Sequence, residues 1–455
     1  MPQLDIAQSL ESPIVRFLIG TIGVALTWTL VREVRKIPAR LAVLMATAFI
    51  DMVGLLMIIP LLPFYVKHLS GEGVKMFGAT AGIGLISGFI VSAFTVAQLL
   101  SAPMWGRFSD RFGRRPALLI ALGASAIAYL IFGFANSLIV LFLSRVVQGA
   151  GGGTVGVIQA YVADATAPED RARALGWLSA ATNLGVALGP VLGSFAVSLG
   201  DLDLVPGSPR ITMGHAAPGI VAALLCLVNI AFASKYLVES HHVPDGQPRE
   251  GRKTSREALW RVITHSREPS SRLIWIYAIA IGAFQGITAV LALFLNARFQ
   301  VTEKTIGYFF MYIGAISVFA RVLLLGRLVD RLGEARLSRV GIVTLAAGVL
   351  GMPLAGSLPV LALAVAMIPL GTAFTFPCVT ALLSRVISPL ERGLYMGLQQ
   401  TYGGVARIAA PLFYGWAFDQ LGIATPFYFS AAFVLVTIFL GFGLDRYAKP
   451  RPVMA

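Results

Sequence analysis

The chain has 455 residues, 57% of them hydrophobic and 13% charged, with a mean hydropathy of +0.79. Soluble proteins carry roughly 25% charged residues, so lipid must cover much of the surface here; a soluble enzyme, a disulfide scaffold and a disordered chain are excluded. The formal net charge of +14 is confined to particular loops, which is the pattern of membrane orientation and not of a nucleic-acid-binding face.

In chain order, the first apolar stretch is 14–31, interrupted by Arg16. It is long enough for a thirteenth span with an external N-terminus, and it can also lie in the interface; a membrane-associated helix is expected. Asp5 and Glu11 give the wrong leading region for a cleaved signal peptide. A bilayer core is ~30 Å thick and needs ~20 apolar residues to cross it. Such segments run over about 41–66, 78–103, 116–135, 138–162, 174–199 and 216–237, then over about 273–296, 305–325, 337–356, 359–383, 393–417 and 425–444. If residues 32–40 face the cytoplasm, that segment, the loops on its side and the tail 445–455 hold 25 Lys and Arg. The opposite loops hold five: Lys67, Lys75, Arg210, Arg298 and Lys304. The positive-inside rule then places both ends of the twelve-span body in the cytoplasm.

One long polar loop, 238–272, carries Pro244, Pro248 and seven basic residues and reads as a cytoplasmic linker. The segments on either side of it repeat. GRFSDRFG at 106–113 returns as GRLVDRLG at 326–333, and PEDRARALG at 168–176 returns as PLERGLYMG at 389–397. The offsets are 220 and 221. The expected fold is therefore an all-α membrane protein of two six-helix bundles related by pseudo-two-fold symmetry. The expected division is an N-terminal hydrophobic helix and basic linker (1–40), a first bundle (41–237), the linker (238–272), a second bundle (273–445) and a tail (446–455).

Charges inside hydrocarbon cost ~2.5–3.5 kcal/mol on insertion scales and mark function by default. Asp51 lies ten residues into the first span, ~15 Å deep, and Arg145 seven residues into the fourth, ~10 Å down from the other side. Their small axial offset predicts an interaction, direct or through water. Asp51 can carry a proton, and Arg145, which stays protonated, can set the acid's affinity for it. Arg407 lies fourteen residues into the eleventh span. Two arginines against one aspartate leave positive charge for an anionic group to meet. Gln148 shares a helical stripe with Arg145, and Gln400 shares one with Arg407. Phe374, Phe376 and Tyr402 are candidates for an apolar, permissive lining.

Asp110 and Asp330 close the inner ends of the second and eighth spans. Each is expected to face a positive helix N-terminus in the other half and to form a conformational gate. Gly106, Arg111, Gly113, Arg114 and Arg115 complete the first copy, with Asp164, Glu169 and Asp170 as carboxylate partners; Gly326 and Gly333 complete the second. Gly185, Gly189 and Gly193 recur every four residues, spacing that lets helices approach closely. No Walker sequence, no metal-ligand spacing and no disulfide framework (Cys226 and Cys378 sit in apolar runs) is present, so no cofactor or metal is expected.

These motifs carry a family resemblance. GRFSDRFGRRP (106–116) resembles the signature between helices 2 and 3 of the major facilitator superfamily, and LSRVVQG (143–149) resembles its helix-4 arginine motif. Gly176, Gly185, Gly189, Pro190 and Gly193 match the antiporter motif of the twelve-helix drug:proton antiporters, whose final glycine is Ser194 here. FIDMVGLLMIIPLLP (49–63) and AQLLSAP (97–103) are similar to the tetracycline-efflux branch. That branch usually has an acid in helix 3, where this chain reads GASAIAYLI with Ala128, so the resemblance implies the class and not that ligand. It implies a non-enzymatic, proton-coupled exporter of amphipathic organic compounds in a bacterial inner membrane. It also pairs the two gate aspartates with helices 11 and 5, and gives the glycine-rich helix 5 a role in sealing against proton leak. The expected partners are a small-molecule substrate, protons and lipid, with no nucleic acid, and a monomer is expected. Two other readings stay open: an organic-anion or metabolite transporter with Arg145 and Arg407 as the clamp, and a non-transporting membrane scaffold or sensor.

Overall fold

The computed structural model describes residues 37–71, 74–76, 79–152, 155–167, 170–200, 214–240, 255–388 and 391–447. The apolar stretch 14–31, Glu169, most of the polar linker and the end of the tail lie outside the described residues.

The chain is almost wholly helical. The first span is α1 (Ala39–Ile58), which turns at Pro60 and continues as α2 (Leu62–Ser70); a proline here removes the donor that would continue the helix. A short antiparallel hairpin follows, β1 (Val74–Met76) against β2 (Ala79–Ala81). The second span, α3 (Ile83–Phe112), therefore begins later than its hydropathy predicts, because residues 79–81 hydrogen-bond across the hairpin. Next come α4 (Arg114–Gly133), α5 (Leu138–Gly151), α6 (Val155–Ala165), α7 (Arg171–Gly200) and α8 (Ala217–Tyr236). A linker helix, α9 (Ser255–Thr264), precedes α10 (Pro269–Phe299). The eighth span is α11 (Ile306–Phe319), one π-helical segment (Ala320–Leu324) and α12 (Leu325–Leu332). The last four spans are α13 (Glu334–Leu354), α14 (Leu358–Val386), α15 (Arg392–Leu421) and α16 (Thr425–Gly441).

Ten of the described helical stretches are long and apolar enough to cross a membrane. The two remaining predicted spans are α16, which has 17 residues, and α15, whose middle carries Gln399, Gln400 and Arg407. The repeated signature has a conformational cause. Gly113 and Gly333 both adopt positive φ, +102° and +76°, and turn the chain sharply between one span and the next. Only glycine enters that region without a Cβ penalty.

Contacts gather the chain into two units, each containing a piece from the opposite sequence repeat. Unit 1 comprises residues 1–64, 96–243 and 294–311. Within it α7 lies along α1, and α8 packs on α4 and α1. Its borrowed piece docks on α7: the Ser194 hydroxyl accepts from the Gly307 N–H (2.9 Å) and donates to the Glu303 carbonyl (2.8 Å). Unit 2 comprises residues 65–95, 244–293 and 312–455. Here α13 packs along α14 and α16. The first part of α3 lies against α15, with Gly84 and Gly88 facing Gly415 and Pro411. The Asp419 carboxylate accepts from the Gly84 and Leu85 N–H groups at 2.9 and 2.8 Å and so caps α3.

Candidate transport site

Asp51 is placed by tight packing of its own helix. The antiporter-motif glycines of α7 face α1 directly: a Cβ on Gly185 would come within 2.7 Å of the Met52 Cβ, and one on Gly189 within 2.7 Å of the Val53 carbonyl. Gly193 is tighter still against the Met57 carbonyl, whereas Gly176 has open space. On another side the Asn229 amide of α8 donates to the Thr47 carbonyl (2.9 Å). Close approach of this kind requires residues without side chains.

Asp51 itself is half-buried, and no hydrogen bond or ion pair holds its carboxylate among the described residues. It lines a narrow cavity of about 20 Å³ with Thr47 and Ser125 as the other polar side chains. Of the expected interaction with Arg145, direct or through water, no direct contact is made among the described residues. Arg145 is buried, with Nε 3.2 Å from the Ser144 hydroxyl, its guanidinium 5.0 Å from the Phe132 ring centre, and no partner for Nη2 among the described residues. The group in electrostatic reach of both charges is Tyr129 of α4, fully buried, with the Gln148 side chain in hydrogen-bonding reach of its hydroxyl. Gly54, one turn beyond Asp51, leaves room for that hydroxyl: a Cβ there would lie 3.1 Å from it. Asp51 and Arg145 thus act on one buried phenol without touching each other.

The second set of residues is less convergent. Arg407 donates from Nε to the Gly403 carbonyl of its own helix (3.3 Å) and from Nη2 to the Gln400 side chain (3.4 Å). No carboxylate pairs with it among the described residues. Phe374 is core, packed with Ala320, Leu337, Ala373 and Cys378, and does not serve as lining. Phe376 stacks edge-on with Tyr277 at 5.5 Å. Tyr402 turns away from Arg407: its hydroxyl donates to the Leu259 carbonyl of α9 (2.9 Å), and its ring meets Trp275 at 5.3 Å. It lines an apolar groove of about 890 Å³ between α9, α10, α15 and α16.

At the first signature, Arg114 is the hub. Its guanidinium binds Asp110 (2.5 Å), Ser109 (2.7 Å) and Asp164 (3.1 Å). Glu239 accepts from the Arg114 and Arg115 N–H groups at 2.9 and 3.1 Å and caps α4. Arg115 also reaches the Ser234 carbonyl, and Arg111 lies 5.2 Å from the Phe112 ring centre. Gly106 and Gly326 have open space beside them. Among the described residues, Asp110 pairs with Arg114 of its own repeat, and Asp330 is exposed and makes no ion pair. In the second repeat, buried Glu334 is paired with Arg385 at 3.1 Å through Nη1 and by a second, shorter bond. Positions 334 and 385 are the repeat equivalents of 114 and 164, so the same bridge is built with its charges exchanged.

Comparison with known proteins decides the family. A model of the major facilitator superfamily matches residues 44–411 and 322–453. The chain belongs to that superfamily. Among its relatives, Multidrug resistance protein 2 of Bacillus subtilis is 28% identical over 414 residues, 90% of this chain and 95% of the relative. The class D tetracycline resistance protein of Salmonella ordonez is 27% identical over 378 residues, 82% and 87% of the two chains. The crystal structure of the human organic anion transporter MFSD10 (TETRAN) superposes with a TM-score of 0.64 at 24% identity, covering 89% of this chain and all of that one.

As a major facilitator transporter the chain holds two features that the motif reading passes over. Tyr129 was legible only as part of an apolar run, because nothing in the spacing says that a tyrosine falls between two charges on other helices. Arg321 is a further intramembrane arginine, within the π-helical segment of the eighth span. Its signal, a charge inside a hydrophobic stretch, is present in the sequence. Single π-helical turns within α-helices are frequently found at functional sites.

Proposed function

We propose that this transporter exchanges protons for amphipathic organic compounds by alternating access, acting as a monomeric exporter in a bacterial inner membrane. The observation that carries the reading is Asp51: an acid in a membrane-spanning helix, close-packed on the antiporter glycines, with no fixed countercharge among the described residues. A charge held in a low-dielectric interior is costly, and binding a proton removes that cost. Arg145, acting through Tyr129, makes the proton affinity of Asp51 sensitive to any movement of α4 or α5. The two six-helix repeats, 41–237 and 273–445, would rock about the substrate, with the 106–116 signature and its repeat as the gate. The relatives named multidrug and tetracycline resistance proteins support export of organic compounds. In proteoliposomes with an imposed pH gradient, wild-type protein should drive accumulation of a cationic dye and Asp51→Asn should not. Equal accumulation by both would sink the reading.

A second reading, transport of organic anions, is favoured by a separate observation. Arg145 and Arg407 both lie within spanning segments, and Arg407 has no carboxylate partner among the described residues. Arg407→Gln should then abolish flux of an anionic dye and spare that of a cationic one.

A further inference from the structure

Among the described residues, Thr47 shares with Thr375 a buried hydroxyl that no group bonds, and Thr47 is the one beside Asp51. Thr95, Thr182, Thr288 and Thr344 each donate to the carbonyl four residues back, the usual way of satisfying a hydroxyl in a helix. Thr47 does not. Its hydroxyl is buried, the residue is 4% exposed, and no protein group among the described residues bonds to it. Its carbonyl is already taken by Asn229. Thr47 and Asp51 are four residues apart on α1 and share a face. Both line the 20 Å³ cavity, with Ser125 opposite them on α4 and Leu44, Leu118 and Leu122 among the apolar walls.

A polar cavity holds a water when it offers roughly 10–15 Å³ and two to four hydrogen-bonding groups. This one offers about 20 Å³ and three: a carboxylate and two hydroxyls. We infer that the cavity is a site for a single internal water, which receives the Thr47 hydroxyl proton, donates to the Asp51 carboxylate and is steadied by Ser125. Thr47 and Ser125 are then positioning residues for the proton step, and the inference rests on the reading of Asp51 as the proton carrier. The water gives Asp51 a donor on the side where the protein supplies none, and apolar walls keep the number of waters at one.

The sign follows from which form the donor favours. A hydrogen bond donated to a carboxylate stabilises its charged form. Removing it shifts protonation to higher pH. The groups facing Asp51 from neighbouring elements are Tyr129 of α4 and Cys226 of α8, with Arg145 of α5 acting on Tyr129. The α7 face presents Gly185 and Gly189, and α5 and α6 present Gly151 and Ile158 to the cavity, none of which titrates. None of these groups changes in a Thr47 variant.

The test is infrared difference titration of the full-length protein in lipid, following the protonated-carboxyl band that Asp51→Asn removes. Thr47→Val keeps the shape of the side chain and loses the hydroxyl. It should move the midpoint up by about one pH unit, a tenfold change in proton affinity, which is the scale of one hydrogen bond. Ser125→Ala should move it the same way by less, and Thr47→Ser should restore the wild-type value. A midpoint unchanged in both Thr47→Val and Ser125→Ala overturns the water site. A wild-type midpoint that moves when sodium replaces choline also overturns it, with a sodium ion as the occupant. If Asp51→Asn leaves every carboxyl band in place, the reading of Asp51 as the proton carrier fails instead, whatever Thr47 does.

Discussion

The antiporter-motif glycines permit a graded test within one helix. Alanine at Gly193 would force a Cβ against the backbone carbonyl of Met57, and carbonyls cannot rotate away as a side chain can. Overpacking of this kind costs about 1–3 kcal/mol. Alanine at Gly176 meets nothing within 4 Å. Both substitutions gain the same helix propensity, up to about 1 kcal/mol over glycine, so that term cancels between them. The difference is the overpacking cost alone: Gly193→Ala should be less stable than Gly176→Ala by about 1–3 kcal/mol. Gly185→Ala and Gly189→Ala should fall between, since their nearest neighbours are side-chain carbons as well as carbonyls. Cys226 and Cys378 are both free and buried, so a thiol-reactive dye reports unfolding of the purified protein directly. The reasoning fails if Gly193→Ala and Gly176→Ala unfold at the same temperature. Relief of the clash by separating α7 from α1 would also displace Asp51, so transport by Gly193→Ala should fall further than its stability alone explains.

Two other contacts make independent predictions. Asp419→Ala removes both acceptors from the first turn of α3, a capping loss of about 0.5–2 kcal/mol; the Gly84 and Leu85 amides should exchange deuterium faster, and unchanged exchange would show that the cap carries no energy. In the second repeat, Glu334→Gln or Arg385→Gln should destabilise by about 1–3 kcal/mol, because the first leaves half-buried Arg385 and the second leaves buried Glu334 short of its partner. The exchanged pair, Glu334→Arg with Arg385→Glu, should recover part of that loss, since the first repeat builds the same bridge in that order with Arg114 and Asp164. Equal unfolding temperatures for the singles and the double would refute a pairwise role.

Much of the fold was legible because lipid imposes a length on each helix and the repeat imposes a register on the loops. The signature glycines show this best: Gly113 and Gly333 recur in sequence because both sit at positive φ. Boundaries were lost where hydrogen bonding overrides hydropathy, as in the hairpin that delays α3 to Ile83. The site was legible in its charges and not in its connections. Asp51, Arg145 and Arg407 stand out in apolar runs, because burying a charge is costly wherever it points. Tyr129 does not stand out, because a tyrosine in hydrocarbon is ordinary until its neighbours on other helices are known. Phe374 misled for the same reason: an aromatic residue on a spanning helix is equally suited to core and to cavity, and here it is core. The exchanged bridge between Glu334 and Arg385 was hidden because its two residues lie on different helices far apart in the chain, and only the repeat register relates them to Arg114 and Asp164.

The most direct measurement is proton release from the purified transporter on addition of organic ligands, compared between wild type and Asp51→Asn. The account predicts that a transported ligand releases protons from wild-type protein and none from the variant, while the variant still binds that ligand. Release of equal size from both would place the exchanged proton on another group and contradict the central role given to Asp51.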